Sequence, residues 1–219
     1  MDTVSTDSNV AKSSPLKLPK NFYIRFKFWP PSLDGKFHVC DSAGRLLAFF
    51  LLKAFKLKSE IHVYTDKTKT KEIMYIKSRN VIAFSAAYDV SNPETGEVYG
   101  IWRRDGMTSL IIDNWILSPP DNENGMMGKI TEDSVGMALL RRSKATSKIA
   151  NLISPKSYRV LSKDGKLLAT FRLSRNPFIP KLYVTILEDE MSELVVAGAI
   201  LLVSAGNKTF NSTSIELKI

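Results

Sequence analysis

A single cysteine, Cys40, leaves the chain unable to close an internal disulfide, which excludes a disulfide-stapled secreted scaffold. Histidine is scarce too: His38 and His62 are the two present, and no Cys/His spacing of a zinc site occurs. There is no Gly-rich phosphate loop ending in Lys-Ser or Lys-Thr and no Gly-x-Ser-x-Gly elbow. An RRM signature and a helix-turn-helix are also missing, so no nucleic-acid partner is expected. Long apolar runs are absent as well. The longest, residues 194–203, would make a helix of about 15 Å at ~1.5 Å per residue, half of the ~30 Å bilayer core. No transmembrane span is expected, and a helix apolar all round yet too short to span is expected inside the protein. Residues 1–14 are polar and carry no apolar h-region, so no signal peptide is read there and the cytoplasm is the expected compartment. The sequons at Asn207 and Asn211 are then expected to be silent.

What is present is core-forming material and positive charge. Of 219 residues 44% are hydrophobic, enough for a sizeable core, and the net charge of +9 favours an anionic partner. Residues 1–18 are polar and without periodicity and read as a flexible tail; their charges nearly cancel, so the positive balance belongs to 19–219, read as one domain. Phe22, Ile24, Phe26 and Phe28 alternate with polar residues, the period of a half-buried strand. Further strand segments are read at 37–41, 45–55, 60–65, 72–77, 82–90, 98–103, 109–117 and 127–131, divided by turn signals such as Asn92-Pro93-Glu94-Thr95-Gly96. This density of short strands predicts an antiparallel meander or barrel and not βαβ units. Residues 134–152 are predicted as a helix capped by Ser134.

The second half repeats the first. Residues 37–63 align without a gap on 158–184, with eight identities, among them Val39/Val160, Gly44/Gly165, Leu46/Leu167, Ala48/Ala169 and Phe50/Phe171. Two similar β-units imply a pseudo-symmetric sheet or barrel. The apolar run follows the second unit. Glu188, Asp189, Glu190 and Glu193 suit the positive end of its helix dipole, and Gly206-Asn207 reads as its stop.

Basic residues are the candidates for binding. Lys77 and Arg79 end one predicted strand, Arg103 and Arg104 another, and Arg141 and Arg142 lie in the predicted helix. Headgroup phosphates need several converging donors, a task that Arg forks suit. Lys67, Lys69 and Lys71 crowd one turn. His38 and Cys40 share a strand face, but the second unit has Arg159 and Leu161 there, so packing is the better reading than a nucleophile. His62 stands alone. Asp121, Glu123 and Glu132 have the spacing of calcium-loop positions 1, 3 and 12, yet Met126 stands where the sharp turn needs glycine, which rejects an EF-hand. No catalytic residue, cofactor or metal site is assigned.

The order of several motifs resembles the tubby C-terminal-like superfamily, and within it the LURP-one-related and phospholipid-scramblase-related proteins. The motifs are Tyr88-Asp89-Val90 with Thr95-Gly96-Glu97, Trp115-Ile116-Leu117, Gly128-Lys129-Ile130-Thr131-Glu132-Asp133, Ala138-Leu139-Leu140-Arg141-Arg142, the stretch from Leu152 to Tyr158, Asn176-Pro177-Phe178 and the terminal apolar helix. The resemblance covers residues 22–206 and implies a closed antiparallel barrel of about twelve strands threaded by that helix. Within the superfamily, tubby-like domains bind phosphoinositide headgroups through surface Lys and Arg, and scramblases are associated with calcium and lipid movement; the tubby headgroup residues match no positions of this sequence one by one and are not carried over. Relatives often open the helix with an Asp-Arg-Arg-like stretch where this chain has Asp189-Glu190-Met191, so no role of those arginines carries over. The expected function is a non-enzymatic module that binds anionic phospholipid or phosphoinositide headgroups peripherally at a membrane. A scramblase-like lipid carrier and a protein-interaction scaffold are the alternatives.

Overall fold

Period-two alternation resolves into twelve strands, each paired antiparallel with the next: β1 (Asn21–Phe26), β2 (Gly35–Asp41), β3 (Leu46–Lys53), β4 (Glu60–Tyr64), β5 (Glu72–Ser78), β6 (Ala87–Ser91), β7 (Val98–Arg104), β8 (Trp115–Ser118), β9 (Gly128–Glu132), β10 (Ser157–Ser162), β11 (Leu167–Leu173) and β12 (Lys181–Ile186). The computed structural model describes residues 18–26, 35–53, 59–79, 87–105, 114–133, 155–174, 176 and 180–216. The helix predicted at 134–152, with Arg141 and Arg142, falls outside the described residues, as do residues 1–17 of the expected tail. Leu18, grouped with that tail by composition, is half-buried against the core. β12 pairs with β1, Val184 opposite Phe22 and Leu182 opposite Ile24, which closes the barrel and leaves no sheet edge exposed.

The duplication is visible in backbone detail. In both units a register shift follows a buried valine, between Val39 and Cys40 and between Val160 and Leu161. A left-handed glycine then turns the chain, Gly44 at φ +87° and Gly165 at φ +83°. The hairpins β4/β5 and β6/β7 use the same device, with shifts after Val63 and Val90 and with Lys69 and Gly96 at positive φ. All these turns lie at one mouth of the barrel, termed here the hairpin end; the opposite mouth is the far end. The first unit adds a clasp: the Asp41 carboxylate accepts the Arg45 backbone N–H at 2.9 Å and its Nε at 2.7 Å. In the second unit the Ser162 hydroxyl oxygen accepts the Lys166 N–H at 3.1 Å.

The Arg45 hydrogen bonds hold the Asp41 carboxyl below its ordinary value. A depressed carboxyl stabilises the fold above the unfolded value of about 3.9 and loses that contribution as pH falls through the folded value. Arg45→Ala should therefore flatten the acid limb of stability against pH. Asp41→Ser, which copies the second unit, should keep the hairpin and flatten it as well. Urea midpoints measured from pH 6 down to 3 check both.

Residues 192–205 of one helix, α1 (Ser192–Glu216), fill the barrel. Between Leu194 and Val203 every described side chain but Leu202 is buried, as are Val39, Phe50, Met74, Val160 and Phe171 from the surrounding strands. Such a helix is stable because strands on all sides take up its apolar surface. The wall approaches it closely at two glycines. A Cβ on Gly100 would meet Leu194 at 3.1 Å, and one on Gly198 would lie 2.7 Å from Ile130 and 3.1 Å from Trp102. Trp102 Nε1 donates to the Leu194 carbonyl at 2.8 Å, tying wall to helix. The acidic cluster is partly spent on ion pairs, Asp189 with Lys20 at 3.7 Å and Glu188 with Lys166 at 3.1 Å.

Gly206-Asn207 does not stop the helix, which continues to Glu216. Glycine and asparagine each cost at most about 1 kcal/mol inside a helix, too little to end one nucleated by a fully packed segment. Gly128 tolerates less: a Cβ there would sit 2.7 Å from the backbone oxygen of Leu161, the residue displaced by the β10 register shift. Backbone cannot swing aside as a side-chain tip can, so Gly128→Ala should cost about 1–3 kcal/mol. Chemical denaturation checks this.

Candidate functional site

Strand direction sorts the charges. Odd-numbered strands run from the hairpin end to the far end and even-numbered strands return, so the last residues of β5 and β7 and the first of β2 and β12 meet at the far end. Lys77, Arg79, Arg103 and Arg104 are thus gathered at one mouth. Ala87 stands between two of them: its Cα faces Arg103 across the ladder and its carbonyl accepts the Arg79 N–H at 2.8 Å. Lys67, Lys69 and Lys71 belong to the β4/β5 turn at the opposite mouth and take no part.

The four are not equivalent. Arg79 is bound internally: Nε donates to Asp89 at 2.7 Å and Nη1 to Glu123 at 2.8 Å, pinning the β8/β9 loop to β5 and β6. Its charge is already matched. Arg104 shares the inner face of β7 with Trp102 and opposes the upward shift that burial gives the Tyr88 phenol. Lys77 is exposed and Arg103 half-buried, and neither has a carboxylate at ion-pair distance among the described residues.

Sequence reasoning missed four cations at the same end: Arg25 on β1, Lys36 on β2, Arg172 on β11 and Lys181 on β12. Each is a lone basic residue in its strand. Closure of the barrel brings three of them together, because Arg25 faces Lys181, and Tyr23 faces Tyr183, which faces Arg172. Their outward direction was readable from alternation with buried Ile24, Phe171 and Leu182.

Two of the four, Arg172 and Lys181, line an open groove of about 640 Å³ on the outside of the barrel together with Tyr23 and Tyr183, within the size of small-ligand sites. The Lys181 ammonium lies 4.3 Å from the centre of the Tyr23 ring, and the Arg172 guanidinium 5.7 Å from that of Tyr183. The two rings are 6.0 Å apart. Burial and the nearby Cys40 thiol raise the Tyr23 phenol, so it stays a neutral hydroxyl. The acid in the lining is Asp133, and its carboxylate is paired with Arg159.

Other constellations fall to packing. His38 sets its ring edge-on to Phe49 at 5.5 Å, and Cys40 is buried. His62 is less isolated than its sequence neighbourhood suggests, with Nδ1 2.8 Å from Glu72 and Nε2 3.6 Å from Glu60, since Glu72 arrives from the next strand. Burial first, then Glu60, pushes the Tyr75 phenol beside it up to about 12. Glu123 is tied to Arg79 and Glu132 is buried near Lys156, so the nominal calcium loop is dispersed. Among the described residues no group of three or more His, Cys, Asp or Glu is placed to hold a metal. No helix there is long and apolar enough to cross a membrane.

Fold and site define a class: a closed antiparallel barrel around a central helix, with a cationic mouth and a tyrosine-lined groove beside it. Compared with family models, curated proteins and solved structures, the chain matches none.

Proposed function

We propose that this chain is a non-enzymatic module of the tubby C-terminal-like superfamily, and that its far end docks on anionic phospholipid headgroups, phosphoinositides among them, at a membrane surface. The observation that carries the reading is the gathering of Lys36, Lys77, Arg103, Arg25, Arg172 and Lys181 toward one mouth, none paired with a carboxylate among the described residues. A basic residue held near an anionic leaflet contributes about 1 kcal/mol, so a few acting together suffice for reversible docking. The kinship rests on layout: a twelve-stranded barrel around an apolar helix, with a duplicated hairpin. A lipid-carrier role is less favoured, because α1 and the large side chains Trp102, Phe37, Phe50 and Phe171 occupy the interior where a lipid tail would sit.

Flotation with vesicles of increasing anionic lipid content, repeated from low to high salt, tests the reading. Binding should rise with lipid charge and fall steeply as salt shortens the Debye length from about 30 Å at 0.01 M to about 10 Å at 0.1 M. Binding insensitive to salt, or no binding to acidic vesicles, overturns it; the latter together with a captured protein partner would favour a scaffold.

A further inference from the structure

We propose that the groove over β1, β11 and β12 is a site for a phosphomonoester, carried either by a lipid headgroup or by a soluble phosphorylated small molecule. The proposal deepens the reading of this chain as an anion-binding module and rests on it. Arg25, Lys181 and Arg172 come from three adjacent strands and share one outer face. Adjacent strands lie about 4.8 Å apart, which sets Lys181 and Arg172 side by side over the tyrosines in the groove lining, with Arg25 one strand away outside it. Among the described residues, neither Lys181 nor Arg172 is held by a carboxylate. Each rests on a tyrosine ring instead, a weak hold that orders the cation and leaves its donors open.

A phosphomonoester matches this donor set better than a phosphodiester. It carries a charge of about −1.5 to −2 and three strong acceptor oxygens. The Arg172 fork and the Lys181 ammonium, both in the groove lining, can share three oxygens between them, whereas a diester presents one charge and two free oxygens. Arg159 adds nothing, since Asp133 neutralises it. Lys77 and Arg103 stand on β5 and β7, away from the groove. They supply general attraction to a charged surface, while the groove supplies selectivity.

The test uses the full chain and phosphatidylcholine vesicles that carry either phosphatidic acid, a monoester, or phosphatidylglycerol, a diester, at matched surface charge. The wild type should prefer phosphatidic acid by about tenfold or more, the scale of one charge-assisted hydrogen bond gained. Arg172→Gln/Lys181→Gln should abolish the preference. Lys77→Gln/Arg103→Gln should weaken binding to both vesicles and keep the ratio. Equal binding to the two vesicles, or a preference that survives Arg172→Gln/Lys181→Gln, removes the site and leaves membrane docking standing. A second arm titrates glycerol 3-phosphate and follows NMR shifts of the Tyr23 and Tyr183 rings. Groove-dependent shifts without vesicle binding keep the site, with a soluble ligand, and end the docking proposal. No response in either arm ends both. Arg172→Lys/Lys181→Arg, which retains the charge, should recover part of the selectivity if the groove acts by charge and donors.

Discussion

Trp102→Ala should remove about 3–5 kcal/mol of folding stability, the usual range for deleting a buried indole. Domains of this kind hold about 5–15 kcal/mol in total, so the variant should stand near the edge of folding. The reasoning starts from position. Trp102 has no exposed surface and lies on the inner face of β7, where its ring packs against Gly198 of α1 and its Nε1 donates to the Leu194 carbonyl. Deleting it leaves a void between wall and helix that the closed barrel cannot collapse to fill, because each strand is held by two neighbours. Trp102→Phe keeps part of the ring and loses the donor, so its cost should be smaller, about 1–2 kcal/mol. Urea titration followed by circular dichroism checks the order Ala, then Phe, then wild type. A Trp102→Ala midpoint close to wild type would mean that the helix is not seated against β7.

That seat explains why the helix was legible in the sequence. An uninterrupted apolar segment too short for a bilayer has few stable locations, and Leu194, Val195, Ile200 and Val203 occupy the interior one. The hairpins were legible through Gly44, Gly96 and Gly165, whose positive φ the turns require. The ends of α1 were not, since Gly206 and Asn207 disfavour a helix locally and the packed turns before them decide the outcome. Least legible was the cationic groove. Tyr23 and Lys181 are far apart in the chain and become neighbours through the β1–β12 pairing that closes the barrel. The basic doublets, conspicuous in the sequence, proved mixed, because Asp89 and Glu123 from other strands and loops already match Arg79.

The difference between matched and unmatched cations gives the second large effect. Lys77→Glu/Arg103→Glu should weaken binding to acidic vesicles by on the order of a thousandfold. Each basic residue near an anionic leaflet contributes about 1 kcal/mol, and each reversal exchanges that attraction for a similar repulsion, giving about 4 kcal/mol for the pair. The urea midpoint should fall modestly too, because a carboxylate at 77 faces Glu60 and Asp89 across the ladder and Arg103 is half-buried. Arg79→Gln, two residues from Lys77, should cost stability and spare binding. It strands Asp89 and Glu123 without their guanidinium and frees the β8/β9 loop, so the urea midpoint should fall. Vesicle affinity should hold, because that charge was never available to a headgroup. Vesicle flotation and urea titration of the two variants side by side separate the roles. Arg79→Gln reducing flotation as much as the double reversal, at an unchanged urea midpoint, would place Arg79 itself among the docking contacts and end the distinction between matched and unmatched cations.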